Sequence, residues 1–153
     1  MMSRVVVTLE AIDADAELAG FARGREGAGA MASFVGYCRA HNETHEVKGL
    51  ELQHYPGFTE REIETMARRV AERRNLIDLL VVHRTGSIAP AEPIVLVAAL
   101  AGHRAGAFAA VEEIMDYLKT DAPFWKREVT GGGAHWIEPT ADDRRRRARW
   151  SNE

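Results

Sequence analysis

Two lysines flank a compact apolar cluster in the segment DYLKTDAPFWKRE, residues 116–128. Lys119 lies before the cluster, and Lys126 directly follows Phe124 and Trp125. A solvated loop has little use for Phe and Trp, whereas a core rarely accepts Lys at both edges. A lysine in a partly apolar pocket can have a lowered pKa and act as a proton donor or base near neutrality. The segment is therefore either a core strand with charged ends or a pocket that holds two cations against an anion.

A second pair of polar residues, His103 and Arg104, lies between the buried strand LVAALAG and the helix that leads to Lys119. At about 100° per residue, one narrow stripe of this helix is predicted to face inward, and it carries Arg104, Phe108, Val111, Met115 and Lys119. Arg104 lies at the helix N-terminus, where a cation opposes the helix dipole. Its position therefore predicts a specific anionic partner, and the exposed amides of the helix start favour an anion such as phosphate.

Each of these residues also has a purely structural interpretation. Lys119 taken alone is more often a lysine that extends its amine to solvent, where its charge suits the helix C-terminus. His103 is as readily a hydrogen-bonding residue at a strand end. Arg39 ends the strand SFVGYCR, and its planar guanidinium matches phosphate oxygens, although an exposed strand-end arginine is the commoner case. Gly36 in the same strand indicates a bulge or a close approach of another group.

Other reactive side chains point to structure rather than chemistry. Cys38 has no obvious activating partner and is predicted to be a small buried apolar residue. His83 and Arg84 follow another buried strand, and we expect a structural role for them before a plain turn at Thr85-Gly86.

The sequence has no motif for metal or nucleotide binding or for a serine nucleophile. None of the six histidines is spaced with Cys or acidic residues as a zinc site requires. Walker, GxGxxG and GxSxG patterns are absent. The arginine run 144–147 is predicted to be a solvated helix face, because Glu138, Asp142 and Asp143 lie beside it.

The composition is that of an ordinary soluble protein. The chain has 153 residues, of which 46% are hydrophobic and 28% charged, so we expect one globular domain over residues 1–153. A net charge of −3 excludes a broadly basic surface that coats nucleic acid. A single cysteine excludes an internal disulfide and favours a reducing compartment. We find no signal peptide and no run approaching roughly 20 apolar residues, so a cytoplasmic location is predicted.

Apolar periodicity and capping residues predict a mixture of strands and helices. Strands are predicted at residues 4–9, 30–39, 50–55, 77–82, 94–101, 124–129 and 134–137. Helices are predicted over 13–22, over 59–74 with a Thr59–Glu62 capping box, over 105–120, and from a Thr140–Asp143 capping box onward. Strands and helices do not alternate strictly, which indicates an α+β fold.

Six segments resemble one family closely: SFVGYCRAHN, LELQHYPGFTE, VVHRTGSI, AGHRAGAF, MDYLKTDAPFWKRE and the closing Trp of ARW. The family is the large, catalytic subunit of molybdopterin synthase. The segments occur in the family's order and cover nearly the whole chain. FWKRE together with the HR–helix–LK arrangement is the specific part of the match. The family's α/β-hammerhead element implies a mixed or antiparallel sheet packed with helices.

The resemblance implies a sulfurtransferase of molybdenum cofactor biosynthesis that has no cofactor or metal of its own. The family converts cyclic pyranopterin monophosphate to molybdopterin by installing two sulfurs as a dithiolene. The sulfur arrives as a thiocarboxylate on the C-terminal Gly-Gly of a small ubiquitin-like partner, whose tail enters a pocket of the large subunit. The large subunit forms a homodimer with one small subunit at each end, a heterotetramer, and the substrate site lies near the dimer interface. No nucleic acid or membrane partner is implied.

By position, the resemblance implies a substrate pocket made of Arg39, His103, Arg104, Lys119, Lys126 and Arg127, with Phe34, Tyr37, Cys38, Met115 and Glu128 nearby. Arg39, His103 and Arg104 are the candidates to bind the cyclic phosphate. Lys119 is predicted to be the principal catalytic residue. Lys126 is predicted to orient the thiocarboxylate or to stabilise charge on its carbonyl oxygen.

Two interpretations without catalysis remain open. The same cations could serve a phosphate- or nucleotide-binding module, or the chain could be a scaffold for a ubiquitin-like partner. Lys119 on the predicted inward stripe speaks against a pure scaffold. A phosphate binder would tolerate Lys119→Arg, whereas a catalyst that depends on the pKa of an amine would not. Cys38 stands where the family often has valine, so it is given no sulfur-carrying role.

Overall fold

The computed structural model describes residues 2–42 and 44–152, which form strands and helices in mixed order. The strands are β1 (Met2–Thr8), β2 (Ala30–Tyr37), β3 (Gly49–His54), β4 (Leu76–Arg84), β5 (Gly86–Ile88), β6 (Pro93–Ala101), β7 (Phe124–Thr130) and β8 (Gly133–Ile137). The helices are α1 (Ala14–Ala22), α2 (Phe58–Arg73), α3 (Arg104–Thr120) and α4 (Ala141–Ala148), followed by a 3-10 turn at Arg149–Asn152. No helix within the described ranges is long and apolar enough to cross a membrane.

The strands form two four-stranded sheets. The first has the order β1-β4-β6-β2, in which only the pair β1 and β4 is parallel. The second has the order β5-β3-β7-β8 and is antiparallel throughout. Mixed and antiparallel sheets packed with helices confirm the predicted α+β fold.

The first sheet carries apolar side chains on both faces. Along β4, Leu79 and Val81 pack beneath α2 and α3, whereas Leu80 and Val82 pack on the side of α1. Side chains alternate between the faces of a strand, so a strand covered on both sides reads as a continuous apolar run. This explains why β4 and β6 could be predicted as buried strands.

The predicted capping box of α4 is confirmed, but that of α2 is wrong. Asp13 caps α1 by accepting the amide of Ala16 at 3.1 Å. α2 begins at Phe58, where Glu60 instead accepts the amide of Gly57 at 3.0 Å. The Thr59 hydroxyl is not free to cap the helix, because it donates to the carbonyl of Pro123 at 3.0 Å. A contact across 64 residues thus replaces a local one and ties α2 to the start of β7.

Thr85-Gly86 is not a plain turn. Gly86 has φ +81°, a left-handed conformation that glycine adopts without a Cβ penalty. This bend takes the chain from β4 of the first sheet into β5 of the second, where Leu50 of β3 pairs with Ile88. The short β5 therefore joins the two sheets, and a three-residue strand that begins with glycine has too little periodicity to be predicted.

Candidate functional site

The segment DYLKTDAPFWKRE folds as the end of α3, a tight turn and the start of β7. The amides of Asp121 and Ala122 donate to the Tyr117 carbonyl at 2.9 and 3.1 Å, which closes the helix. β7 then begins at Phe124 and pairs with β3 on one side and β8 on the other. The return brings Lys126 of β7 back beside Lys119 in the last turn of α3. The pocket interpretation is therefore the one that fits the fold.

Both lysines line a cavity of about 360 Å³ between α3, β2 and β7. Six of the predicted site residues meet there, and they are Phe34, Tyr37, Arg39, Met115, Lys119 and Lys126. The remaining lining is largely apolar, with Val35, Ile94, Val95 and Leu118. Three basic side chains around a partly apolar cavity can bind an anion, because weakened solvation strengthens each charge–charge interaction.

A bulge in β2 directs Arg39 to the cavity. The register of β2 against β6 shifts between Gly36 and Tyr37, as the glycine indicated. Beyond the shift, the Cys38 amide donates to the Glu92 carbonyl at 3.0 Å and holds the strand end in place. Cys38 points away, is buried with the Leu50, Leu52 and Ile88 side chains, and does not line the cavity. Its predicted burial is confirmed.

Lys126 has an altered acidity. Burial, and after it the charge of Lys119, lowers the pKa of Lys126 to about 8. Two like charges in one partly apolar site disfavour each other's protonated forms. Lys126 can therefore exchange a proton near neutral pH. Lys119 is the more exposed of the two amines and stays at the mouth of the cavity.

His83 also lines the cavity, and sequence reasoning gave it only a structural role. Burial lowers the pKa of His83 to about 3, so its imidazole is neutral. Its Nδ1 lies 2.9 Å from the Arg84 carbonyl oxygen, and its ring stacks on Phe124 at 4.1 Å between centroids. The stack anchors the start of β7 and so fixes the strand that carries Lys126. In the sequence, the signal for the burial of His83 was its position at the end of a continuous apolar run.

Two other predicted residues of β7 lie outside the cavity. Arg127 alternates to the opposite face of the strand from Lys126, where its guanidinium bonds to Glu51 and lies 5.5 Å from the ring centre of Trp136. Glu128 accepts from Asn42 Nδ2 at 3.0 Å and lies 2.5 Å from the Nε2 atom of His45. The Glu128 carboxylate thus bonds to residues of the loop between β2 and β3. Substrate-binding roles for both residues stay predictions.

His103 and Arg104 lie at the other end of α3 and do not line the cavity. Fifteen residues of helix separate Arg104 from Lys119, about 22 Å at 1.5 Å per residue. Both side chains are exposed. Their backbone is fixed by a close approach, because a Cβ on Gly29 would meet the Gly102 carbonyl oxygen at 2.1 Å.

The prediction that the stripe from Arg104 to Lys119 faces inward is wrong for most of its length. Phe108 is 65% exposed, whereas Val111 is buried. The buried face lies one position round the helix and comprises Ala107, Ala110, Val111, Glu113, Ile114, Tyr117 and Leu118. The small Ala107 and Ala110 side chains let the helix approach the sheet closely, so they and not the stripe define the inner face.

A second cavity also adjoins Lys126. It measures about 550 Å³ and is lined by Gln53, Phe124, Trp125, Lys126, Trp136, Ile137 and Glu138. We call the exposed side chains Trp125 and Trp136, which line it, together with Tyr55 and Phe58 beside Trp125, the aromatic patch. Tyr55 packs edge-on against Trp125 at 4.4 Å between ring centroids. Sequence reasoning treated Trp125 only as part of the apolar cluster between the two lysines and missed this surface.

A larger cavity of about 590 Å³ lies between α1 and the first sheet, away from these lysines. Its charged residues pair with one another: Arg4 bonds to Glu17 at 2.6 Å, and Arg25 bonds to Asp78. We do not treat it as the functional site, because its cations are already neutralised by neighbouring carboxylates.

Comparison with known proteins gives consistent matches. Residues 7–121 match the family described as MoaE protein. The molybdopterin synthase catalytic subunit of Cereibacter sphaeroides is 48% identical over 96% of this chain and 99% of its own length. The structure of a molybdopterin biosynthesis MoaE protein from Burkholderia ambifaria superimposes with a TM-score of 0.81, at 42% identity, over 99% of this chain and 100% of that one.

A more distant structure shares the fold. It comes from a protein–protein complex of subunits 1 and 2 of the molybdopterin-converting factor of Helicobacter pylori. The TM-score is 0.71 at 18% identity, over 88% of this chain and 89% of that chain.

Proposed function

The chain belongs to the MoaE protein family, and on that premise we propose that it is the catalytic subunit of a molybdopterin synthase. Its reaction would transfer sulfur to cyclic pyranopterin monophosphate and form the dithiolene of molybdopterin. The observation that carries the proposal is the convergence of Lys119 and Lys126 with Arg39 around one cavity of about 360 Å³. The substrate carries a cyclic phosphate and the sulfur donor a thiocarboxylate, so both reactants are anions that such a site can hold.

The two lysines divide the chemistry between them. Lys126 lies in the wall between the two cavities and keeps a pKa of about 8, so it can present a proton or a positive charge near neutrality. A charge held there would stabilise the thiocarboxylate carbonyl oxygen as negative charge develops on it. Lys119 lines the cavity beside Arg39 and is the proposed acid–base residue for the substrate. His83 is neutral and buried, and we assign it only the support of Phe124.

We infer that His103 and Arg104 act in the site of a second copy of the chain. About 22 Å of helix separates Arg104 from Lys119, so one chain cannot place both on the same small substrate. Phe34 of β2 and Phe108 of α3 are exposed apolar side chains that such a contact would cover. A homodimer with the site at its interface, as in the heterotetramer the resemblance implies, would add two more phosphate ligands to the cavity.

The aromatic patch is the proposed entrance for the small ubiquitin-like partner. Two of its rings, Trp125 and Trp136, line a cavity that Lys126 also lines and Arg39 does not. An extended Gly-Gly tail has no side chains to obstruct such a passage, and its terminal thiocarboxylate would end beside the amine. The related Helicobacter pylori structure comes from a complex of two subunits, which supports a partner of this kind. The reaction requires no metal or cofactor of this chain, and a cytoplasmic location stays a prediction.

The proposal is tested by mixing the purified chain with a thiocarboxylated small subunit and cyclic pyranopterin monophosphate and measuring dithiolene formation. We expect product from the wild-type chain and from Lys48→Ala, which alters the one lysine outside the cavity. A phosphate-binding module or a scaffold would give no product even with both partners intact. Lys119→Arg separates a phosphate binder from a catalyst, since it would preserve anion binding but not a reaction that depends on an amine.

A further inference from the structure

The segment that follows β8 also lies next to Lys119 and Lys126. A small cavity of about 100 Å³ adjoins both Lys119 and Lys126, and Glu138 and Asp143 line it from the segment that follows β8. The family match covers residues 7–121 and therefore does not include these carboxylates.

Asp143 is held rigidly at this cavity. Its carboxylate accepts the Thr140 amide at 2.9 Å, and its own amide donates to the Thr140 hydroxyl at 3.0 Å. This reciprocal capping box fixes both the first turn of α4 and the direction of the carboxylate. Glu138 lies before the helix and is exposed, so it lacks this constraint.

α4 is itself fastened to α3. Arg147 donates to Asp121 at 3.0 Å, and farther along the segment the Trp150 indole donates to Asp116 at 2.7 Å. Arg149 adds a contact to the same Asp116 at 3.0 Å. The last residues of the chain thus clamp α4 against the helix that carries Lys119, and the position of Asp143 is set by both ends of its own helix.

The charges that face Lys126 are unbalanced without Asp143. Lys119 faces it from α3 and Arg39 from the end of β2, while the buried His83 on β4 is neutral. Glu138 and Asp143 are the carboxylates that line the small cavity. Burial and then Lys119 lower the pKa of Lys126, whereas Asp143 acts in the opposite direction.

We propose that Asp143 is the counter-charge of Lys126, a positioning residue through which the C-terminal helix keeps this amine charged beside the thiocarboxylate. The inference rests on the proposed function for the role of that charge, but the pairing itself is independent of it. Asp143 touches no reactant. It acts on the reaction only through Lys126.

The pairing can be tested on the isolated chain by chemical labelling. Only the neutral amine reacts with an acylating reagent, so the labelling rate of Lys126 as a function of pH, followed by peptide mass spectrometry, reports its protonation. Asp143→Asn keeps an acceptor for the Thr140 amide but removes the charge. We expect Lys126 to label about threefold or more faster at pH 7, since each pKa unit changes the neutral fraction about tenfold.

Matched variants separate charge from structure. Asp142→Asn removes a neighbouring charge on the same turn of α4 that does not line the cavity, and Asp143→Glu restores the charge; both should label like the wild type. An Asp143→Asn profile that coincides with the wild-type profile, in a chain of unchanged thermal stability, would overturn the proposal. If Glu138→Gln alone shifted the profile, the counter-charge would be Glu138 and the proposal would also be wrong.

The same variants in the synthase assay test the role of the charge. For Asp143→Asn we expect the alkaline limb of the pH profile of kcat to move to lower pH by the shift seen in labelling. A labelling shift without a matching shift in kcat would retain Asp143 as the counter-charge and overturn the proposed role of Lys126. This outcome differs from a wild-type chain that yields no dithiolene, which would overturn the proposed function itself.

Discussion

The C-terminal end of α3 and its N-terminal end both carry basic residues, but their surroundings differ. Lys119 at the C-terminal end meets Lys126 and Arg39 around a cavity made within one chain. His103 and Arg104 at the N-terminal end lie exposed, about 22 Å away along the helix. The C-terminal end thus has three basic side chains around one cavity, whereas His103 and Arg104 at the N-terminal end do not line that cavity. This difference is the basis of the proposal that α3 serves two sites, its own through Lys119 and a neighbour's through Arg104.

The burial of the two lysines differs as well. Lys126 lies mostly inside the protein, and its pKa is lowered to about 8. Lys119 remains exposed at the cavity mouth. An exposed amine costs the fold little, whereas a buried one costs stability in exchange for a proton that moves near neutrality. Substitutions at each position should therefore separate activity from stability.

The largest effect on activity is expected at the C-terminal end of α3. Lys119→Ala should lower kcat for dithiolene formation by about 10²- to 10⁴-fold, the usual contribution of a positioned acid–base group. Its melting temperature should stay close to that of the wild type, because the side chain is exposed. Single-turnover assays with a thiocarboxylated partner measure the rate, with Lys48→Ala as control. A rate near the wild-type value would remove Lys119 from the chemistry.

Lys126→Met should abolish sulfur transfer while stabilising the fold. In the wild type, the pKa of Lys126 falls from 10.5 in an unperturbed lysine to about 8 in the folded protein. Between these values the unfolded chain binds more protons, so this group makes stability rise with pH. Below pH 8 the destabilisation caused by the buried charge is present in full. Removing the charge should therefore stabilise the protein by up to about 3 kcal/mol at pH 7.

Urea denaturation at pH 7 and above pH 10.5 measures this gain, which should shrink toward zero at the higher pH. Lys119→Met is the matched control and should stabilise less, because it removes only the repulsion between the two amines and not the burial of a charge. Equal stabilisation by both variants, or none by Lys126→Met, would contradict the burial assigned to Lys126.

A smaller loss of activity is expected at the N-terminal end of α3. Arg104→Ala should lower kcat/KM about tenfold, mainly through KM, because a single charge-assisted contact to phosphate contributes about 1.5–3 kcal/mol at most. Steady-state kinetics over a range of substrate concentrations separate the two constants. Arg23→Ala, at an exposed arginine that ends α1, should leave both unchanged. If the two variants behaved alike, Arg104 would have no part in binding.

The fold could be predicted where local signals decide it. The Thr140–Asp143 box formed as expected because both partners lie within one turn. Thr59 did not cap α2, since its hydroxyl bonds to Pro123, far away in the chain. The direction of α3 was also misjudged, because apolar spacing favoured Phe108 while close packing favours small alanines.

The site could be predicted in part. The pocket that brings Lys119 and Lys126 together was one of the two interpretations of their segment, and the cavity they share confirms it. The neutral state of His83 and the aromatic patch around Trp136 were missed, because both depend on contacts between strands distant in sequence. The exposed position of His103 and Arg104 required coordinates, since a helical stripe does not show which end is covered.

The central claim is that Arg104 of one chain and Lys119 of another serve a single site, and complementation tests it directly. Arg104→Ala and Lys119→Ala chains are co-expressed in equal amounts with the small subunit and assayed for dithiolene formation at substrate well below KM, where each variant alone is impaired. Random pairing would leave about a quarter of the sites with both residues intact, because each mixed dimer contains one complete site. We expect activity to recover to about that fraction of the wild-type level. Activity no higher than the average of the two single-variant preparations would show that each site takes both residues from the same chain and would contradict the account.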